Sequence, residues 1–327
     1  MTLKDVARLA NVSPSTVSRV LNNVGAVSET VRSRVWAAAR ELGYTPNRPA
    51  QQLKRGLRPD KPGICVGVVT ARFATLEADP FFHWLFRSVE ERLFACGGRV
   101  SRIMNVPDLL RQGPPDADGY VLLGRCPRQA LDQLHRLTDN IVGVGRNPTD
   151  FDIDEIICSG QQAALLAMEH LVNLGHRQIA YIGSCSYEER FIGYYEALRR
   201  HSLPLDQRLV RDTDQTAPAG REAMMQLLAV EGFTAVLCAN DATALGALEA
   251  LSSAGKQLAL IGIDNIPGVE SVTPALTTVH IPKEEMGRAA VNLLLDRVNG
   301  GHREHVRMEF PCRLVVRASC PGPADLR

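Results

Sequence analysis

The chain has 327 residues, 45% hydrophobic but only 5% aromatic, which predicts two or three units with cores of Val, Leu, Ile and Ala in α/β layers. Its net charge of +1 divides unevenly, with ten Lys/Arg against four Asp/Glu in residues 1–60, so a basic head precedes a mildly acidic body. A nucleic-acid-binding module has that balance, and so does a solvated charged face; no run approaches ~18 apolar residues and Met1–Asp5 begins no signal-peptide core, which predicts a cytoplasmic chain with no membrane partner.

Thr2 is suited to cap a first helix whose apolar Leu3, Val6, Ala7 and Ala10 recur at helical spacing, with Asp5 in the first turn, where the dipole favours it. Asn11 tolerates the left-handed backbone of a tight turn. Ser13 then caps a second helix with Pro14 at its first position, and Val17, Val20 and Leu21 form the buried side. A third helix, Glu29 to Leu42 after the cap Ser28, buries Val31, Val35, Ala38 and Leu42. Two short helices joined by a three-residue turn match the helix-turn-helix unit, whose second helix enters the major groove; on spacing alone an ordinary helical hairpin fits as well.

The strings TLKDVARLANVSPSTVSRVLN, from Thr2 to Asn22, and VSETVRSRVWAAARELGYTPN resemble the head of the lactose-repressor (LacI) family, with Asn11 in place of the usual turn glycine. The likeness continues through Arg48, Pro49, Ala50, Gln51, Gln52, Leu53 and Lys54, which resemble that family's hinge helix. The resemblance implies that Pro14, Ser15 and Arg19 meet base edges, Arg19 being suited to a bidentate contact with guanine. Thr2, Ser13, Thr16, Ser18, Ser28, Arg32, Tyr44 and Asn47 are then candidates for phosphate contacts, which position the head without reading sequence. Ser13 and Ser28 also fit as caps. Taken alone, the hinge stretch reads as a linker before Gly56, Pro59 and Pro62. By resemblance it folds on operator DNA, pairs with its copy from a second subunit and presses Leu53, beside Ala50, into the minor groove as a kinking wedge.

From Ile64 short apolar runs alternate with amphipathic stretches. Strands are predicted at Ile64–Val69, Gly119–Leu123, Ile141–Val144, Gln178–Ile182, Ala235–Cys238 and Leu258–Ile263, and helices at Phe82–Phe94, Gln161–Leu174, Tyr187–Arg200, Arg221–Val230, Thr243–Ala254 and Lys283–Val298. Repeated strand–helix units imply parallel sheets with helices on both faces. The body contains no G-x-G-x-x-G after the first strand, no P-loop, no G-x-S-x-G and no H-E-x-x-H, so neither a nucleotide cofactor nor a catalytic set is expected. Gly183, Ser184, Cys185 and Ser186 read as a strand-to-helix loop, and His176, after the capping Gly175, as a helix-end group. Cysteines 65, 96, 126, 158, 185, 238, 312 and 320 form no Cys-x-x-Cys pair and read as small core hydrophobes, without disulfides or metal ligation.

Ligands of open α/β sheets bind beyond the carboxyl ends of the strands. Arg190, Asn240, Asp241 and Asp264 follow three different predicted strands, and together they offer donors and acceptors suited to neighbouring sugar hydroxyls. Singly, each also reads as a helix cap, a turn residue or a surface ion pair. The segments ADPFF, EHLVNLGHRQIAYIG, ERFIGYYEALRR, CANDATALGALEAL, IGIDNIP and PALTTVHIPKEEMGR resemble the LacI-family effector domain, and that resemblance puts Arg190, Asn240 and Asp264 on ligand-contacting positions.

The fold so implied is an all-α helix-turn-helix head plus an α/β body of two doubly wound parallel-sheet subdomains of the periplasmic-binding-protein type, with a hinge and cleft between them. Its units are residues 1–46, a hinge helix and linker at 47–60, an effector-binding and dimerisation domain at 61–320 and a tail at 321–327. Within the body the first subdomain is about 64–158 plus 283–310, and the second about 159–282 plus 311–320. DPFFHWLFRSVEERL, LTDNIVG and IDNIP look most like repressors of β-galactosidase operons, which points to a galactoside. One departure is visible: where relatives often stack an aromatic ring on the sugar, this chain has Gln215 and Thr216, leaving Tyr187, Phe82 and Trp84 as stacking candidates that also fit as core. The expected partners are a pseudo-palindromic double-stranded operator, a sugar or sugar phosphate effector and a second copy of the chain; no leucine heptad tail follows to build a tetramer. A sugar-binding transport protein and a carbohydrate-active α/β enzyme are the rival classes. The first is opposed by the basic head and the second by the lack of a catalytic pair.

Overall fold

The computed structural model describes residues 3–21, 27–42, 63–71, 79–145, 151–186 and 188–321. The head is three mutually packed helices, α1 (Leu3–Leu9), α2 (Pro14–Leu21) and α3 (Glu29–Glu41). Asn11 takes φ +51° in the turn, and the Val12 amide donates to the Ala7 carbonyl at 3.0 Å. The Ser13 hydroxyl accepts from the Thr16 amide at 3.1 Å, so α2 starts on a true side-chain cap with Pro14 where no amide is needed. Ser28 occupies the cap position of α3, but its side chain makes no cap bond. Val6, Ala7, Ala10, Val17, Val20, Val35, Trp36, Ala38 and Ala39 close the small core, with Val31 and Leu42 packed at its edge.

The body forms two lobes of like topology. The first contains β1 (Cys65–Thr70), α4 (Pro80–Ala95), β2 (Arg99–Asn105), α5 (Val106–Gln112), β3 (Gly119–Leu123), α6 (Arg128–His135), β4 (Ile141–Gly145) and β5 (Asp154–Ile157). The chain crosses at Cys158–Ser159 into α7 (Gly160–Asn173), β6 (Ile179–Gly183), α8 (Glu189–Arg200), β7 (Val210–Asp212), α9 (Ala217–Leu227), β8 (Ala235–Cys238), α10 (Asp241–Ser253), β9 (Ala259–Asp264) and β10 (Thr277–His280). It returns through Ile281–Pro282 to α11 (Lys283–Val298), which packs on α4 and β3–β5, and to β11 (Arg307–Glu309), before a last crossing to β12 (Arg313–Val315). The sheet orders are β11-β5-β4-β3-β1-β2 and β12-β10-β9-β8-β6-β7. All pairings are parallel except β10 with β12.

Strands covered by helices on both faces need continuous apolar runs. β3, β4, β6 and β8 are buried along their whole length, as their sequences require. Helix α7 stops at Gly175, with φ +105°, and the His176 amide reaches back to the Leu171 carbonyl at 3.1 Å. The His176 ring is buried rather than merely terminal: one nitrogen meets Thr234 Oγ1 at 2.8 Å and the other the Pro321 carbonyl at 2.9 Å. All eight cysteines are free thiols, and burial pushes the Cys126 thiol up to about 12.

Asp154, at the first residue of β5, anchors the other end of the first sheet. Its fully buried carboxylate accepts from Arg297 Nε at 2.6 Å and Nη2 at 2.7 Å, from the Val306 amide at 2.9 Å, and meets His302 Nε2 at 2.9 Å. Burial alone would raise its pKa, but these partners hold the carboxyl below its ordinary value. Asp154 thereby ties β5 to α11 and to the loop before β11. Among the described residues no helix is long and apolar enough to cross a membrane, and no group of His, Cys, Asp and Glu is arranged to hold a metal ion.

Candidate functional site

Two surfaces carry the polar residues singled out from the sequence. On the head, Pro14, Ser15 and Arg19 are exposed along α2. Ser13 shares hydroxyl hydrogen bonds with Ser15 at 2.7 Å and Thr16 at 2.8 Å, a cluster at the start of that helix. Arg32 lies half-buried on α3, Ser28 is exposed before it, and Ser18 lies on α2. Thr2, Tyr44, Asn47, Ala50 and Leu53 lie outside the described residues, as does Tyr187. A helix start with hydroxyls, amide donors and an exposed guanidinium is chemically suited to phosphates and to guanine edges.

In the second lobe Arg190, Asn240 and Asp264 come to one edge, beyond the carboxyl ends of β6, β8 and β9, and all three are buried. Glu188 caps α8 by accepting from the Arg190 amide, then takes Arg190 Nε on Oε1 at 2.8 Å and Nη2 on Oε2 at 2.7 Å. Nη1 donates to the Ala239 carbonyl at 2.6 Å, and Nη2 also to Gln215 Oε1 at 2.8 Å. Gln215, held at φ +68°, accepts at its own carbonyl from Asn240 Nδ2 at 3.0 Å. Asn240 is at the same time the cap of α10, its Oδ1 accepting from the Thr243 amide at 2.9 Å. Arg190 and Asn240 are therefore joined through one glutamine. Burial would lower the Arg190 pKa, but the Glu188 charge outweighs it and keeps the guanidinium ionised.

Asp264 ends β9 with φ +128°, and Asn265 follows at φ +51°, so the backbone turns sharply at the sheet edge. Lys283, at the start of α11 and therefore from the first lobe, donates to the carbonyls of Asp264 and Asn265, each at 3.0 Å. Beside them Asp241 is fully buried. Its carboxylate accepts from Thr278 Oγ1 at 2.6 Å and from the Ile266 amide at 2.9 Å, while burial and the neighbouring Asp264 push its pKa up to about 7. Gly262 makes room for it: a Cβ there would stand 2.2 Å from Asp241 Oδ1.

Sequence reasoning missed Glu188 and Lys283 and treated Gln215 only as a missing ring. Their roles depend on partners across loops, for which no local pattern exists. Of the stacking candidates, Phe82 is core, and Trp84 is half-buried with the Arg87 guanidinium 4.9 Å from its ring centre.

Comparison with known proteins bears on both surfaces. Residues 2–47 match the family described as bacterial regulatory proteins, lacI family, and residues 168–320 match the periplasmic binding protein-like domain. The HTH-type transcriptional repressor CytR of Escherichia coli (strain K12) is 32% identical over 345 residues, covering 97% of this chain and 96% of that one. Among solved structures, the transcriptional regulator CelR–cellobiose complex superposes with a TM-score of 0.69 at 31% identity, covering 98% of this chain and 99% of that one. The lac repressor dimer bound to operator and the anti-inducer ONPF gives 0.67 at 29% identity, with 98% and 99% covered.

Proposed function

Because this chain belongs to the lacI family of bacterial regulatory proteins, and is thus a DNA-binding transcription regulator under small-molecule control rather than an enzyme, we propose that its effector is a sugar held by Arg190, Asn240 and Asp264. One observation carries the reading. Three separate strand ends bring an arginine, an asparagine and an aspartate to one sheet edge, the first two joined through Gln215, where open parallel sheets take their ligands. Cellobiose occupies the CelR relative, and a galactoside heads the panel of sugars to try here.

In this proposal the head is residues 1–46, the hinge 47–60 and the effector domain 61–320, working as a homodimer in the cytoplasm. Pro14, Ser15 and Arg19 read bases; Ser13, Thr16, Ser18, Ser28 and Arg32, with Thr2, Tyr44 and Asn47, hold phosphates; Leu53 and Ala50 form the wedge. Sugar closing the cleft rotates one lobe on the other through three crossovers, and so changes the spacing at which the two hinges enter the operator. The linkage required is about 1–3 kcal/mol.

Titration calorimetry against a sugar panel, repeated with operator DNA present, tests this directly. One sugar should bind with an affinity that changes when DNA is added. Binding that ignores the DNA, or turnover of the sugar, would sink the reading.

A further inference from the structure

Resting on the sugar reading above, the Glu188–Arg190 pair points to a narrower ligand class. We infer that Glu188 is a specificity-determining residue that cancels the Arg190 charge, so that this wall of the site takes neutral hydroxyl-bearing sugars and rejects their phosphate esters.

The geometry is that of a satisfied cation. Arg190 spends Nε and one Nη2 hydrogen on the two Glu188 oxygens, a second Nη2 hydrogen on Gln215, and an Nη1 hydrogen on the Ala239 carbonyl. The pair is buried on both sides, with side-chain exposures of 2% and 7%, so solvent does little to screen the cancellation. A guanidinium awaiting a phosphate would present its fork to the ligand; here the fork is already closed on a carboxylate.

The surrounding charges do not restore a positive field. The Lys283 ammonium is the other buried cation at this edge among the described residues, and it points into two backbone carbonyls beside the carboxyl groups of Asp241 and Asp264. Gln215 strengthens the arrangement from the uncharged side, because its amide donates to Glu188 Oε2 at 3.4 Å while its oxygen faces Arg190. What the wall presents is amide, carbonyl and carboxylate chemistry, because Arg190 and Lys283, and likewise the part-buried Arg317 on Asn265 Oδ1 and the Leu276 carbonyl, are already held by protein acceptors. Neutral hydroxyls are bound well by such groups, each both giving and taking a hydrogen bond. A dianionic phosphate would have to give up its water to meet carboxylates.

The test compares ribose, galactose, lactose and cellobiose, each beside its terminal phosphate monoester, by calorimetry on the full chain at pH 7.5. The neutral form of whichever sugar binds should be preferred by about 100-fold or more over its ester. Glu188→Gln, which keeps the shape and restores the Arg190 charge, should narrow that preference by about 10-fold. An ester that binds as tightly as its parent sugar overturns the inference but leaves the sugar reading standing. A Glu188→Gln protein that folds, by its circular dichroism, and keeps the wild-type ratio also overturns it; if the variant does not fold, the wild-type ratio decides alone. No response to any sugar or ester overturns the sugar reading, and this inference with it.

Discussion

Each lobe buries one arginine on a carboxylate through two hydrogen bonds, and the two pairs sit at opposite ends of their sheets. Asp154 with Arg297 lies at the amino end of β5; Arg190 with Glu188 lies past the carboxyl end of β6. The chemistry is the same and the consequences differ. At the amino end the pair is walled in by His302 and Val306 and braces β5 against α11. At the carboxyl end the pair is linked through Gln215 to Asn240, at the strand ends of the second sheet. The amino-end pair serves the scaffold, while the carboxyl-end pair lies where open parallel sheets take their ligands and, on the proposed reading, serves the effector.

Removing Arg297 should have the largest effect. Arg297→Ala leaves a buried carboxylate without its main partner and should cost about 3–5 kcal/mol of stability, read as a drop in denaturation midpoint, while the folded fraction keeps its effector affinity. Asp264→Asn should do the reverse. Calorimetry should show about 2–3 kcal/mol less effector binding, with operator affinity in the absence of effector held at the wild-type level. On the head, Arg19→Ala should lose about 1–2 kcal/mol of discrimination at one base pair of each half-site, whereas Arg32→Ala weakens all sequences alike; gel-shift titrations on specific and random duplexes separate the two.

Asp241 also sets a pH slope. Asp241 has its pKa raised to about 7 in the folded protein, so between about 4 and about 7 the folded state holds a proton that the unfolded state has lost. Stability from this group is full below that window, falls as the pH rises through it and is level above. Chemical denaturation from pH 4 to 8 should show the decline, and Asp241→Asn should flatten it.

The parts legible in the sequence were those whose signal is local. β3 and β8 fall on their predicted residues because each is an unbroken apolar run between helices, and the Ser13–Pro14 start of α2 is written in two side chains. β2 was missed because its residues Arg99, Ser101, Arg102 and Ile103 face outward on an edge held by β1 alone, so no burial pattern marks it. The short helices α5 and α6 escaped, as did β7 and β11 with three residues each; β5 and β10 are as long as β8, but Asp154 and Glu155 in one and Thr277, Thr278 and His280 in the other interrupt any apolar run. Helix α9 starts at Ala217, four residues before the predicted Arg221, because Thr216 caps it and Pro218 suits its first turn. At the candidate site, strand-end position together with the family resemblance singled out Arg190, Asn240 and Asp264, and the structure brings the three to one sheet edge. Finding Glu188 required knowing which carboxylate the arginine meets, and Lys283 reaches the site only because the chain returns to the first lobe.

That return has a consequence for how the protein is made. The first lobe begins at residue 65, yet its sheet gains its outer strand only at Glu309 and its packing helix only at Val298; the second sheet closes with Val315. The lobes therefore cannot mature one after the other as the chain leaves the ribosome, as independent domains do. Both wait on the same short stretch of late synthesis. Chains stalled before residue 298 should leave both lobes open to protease, and chains released beyond residue 315 should protect both together.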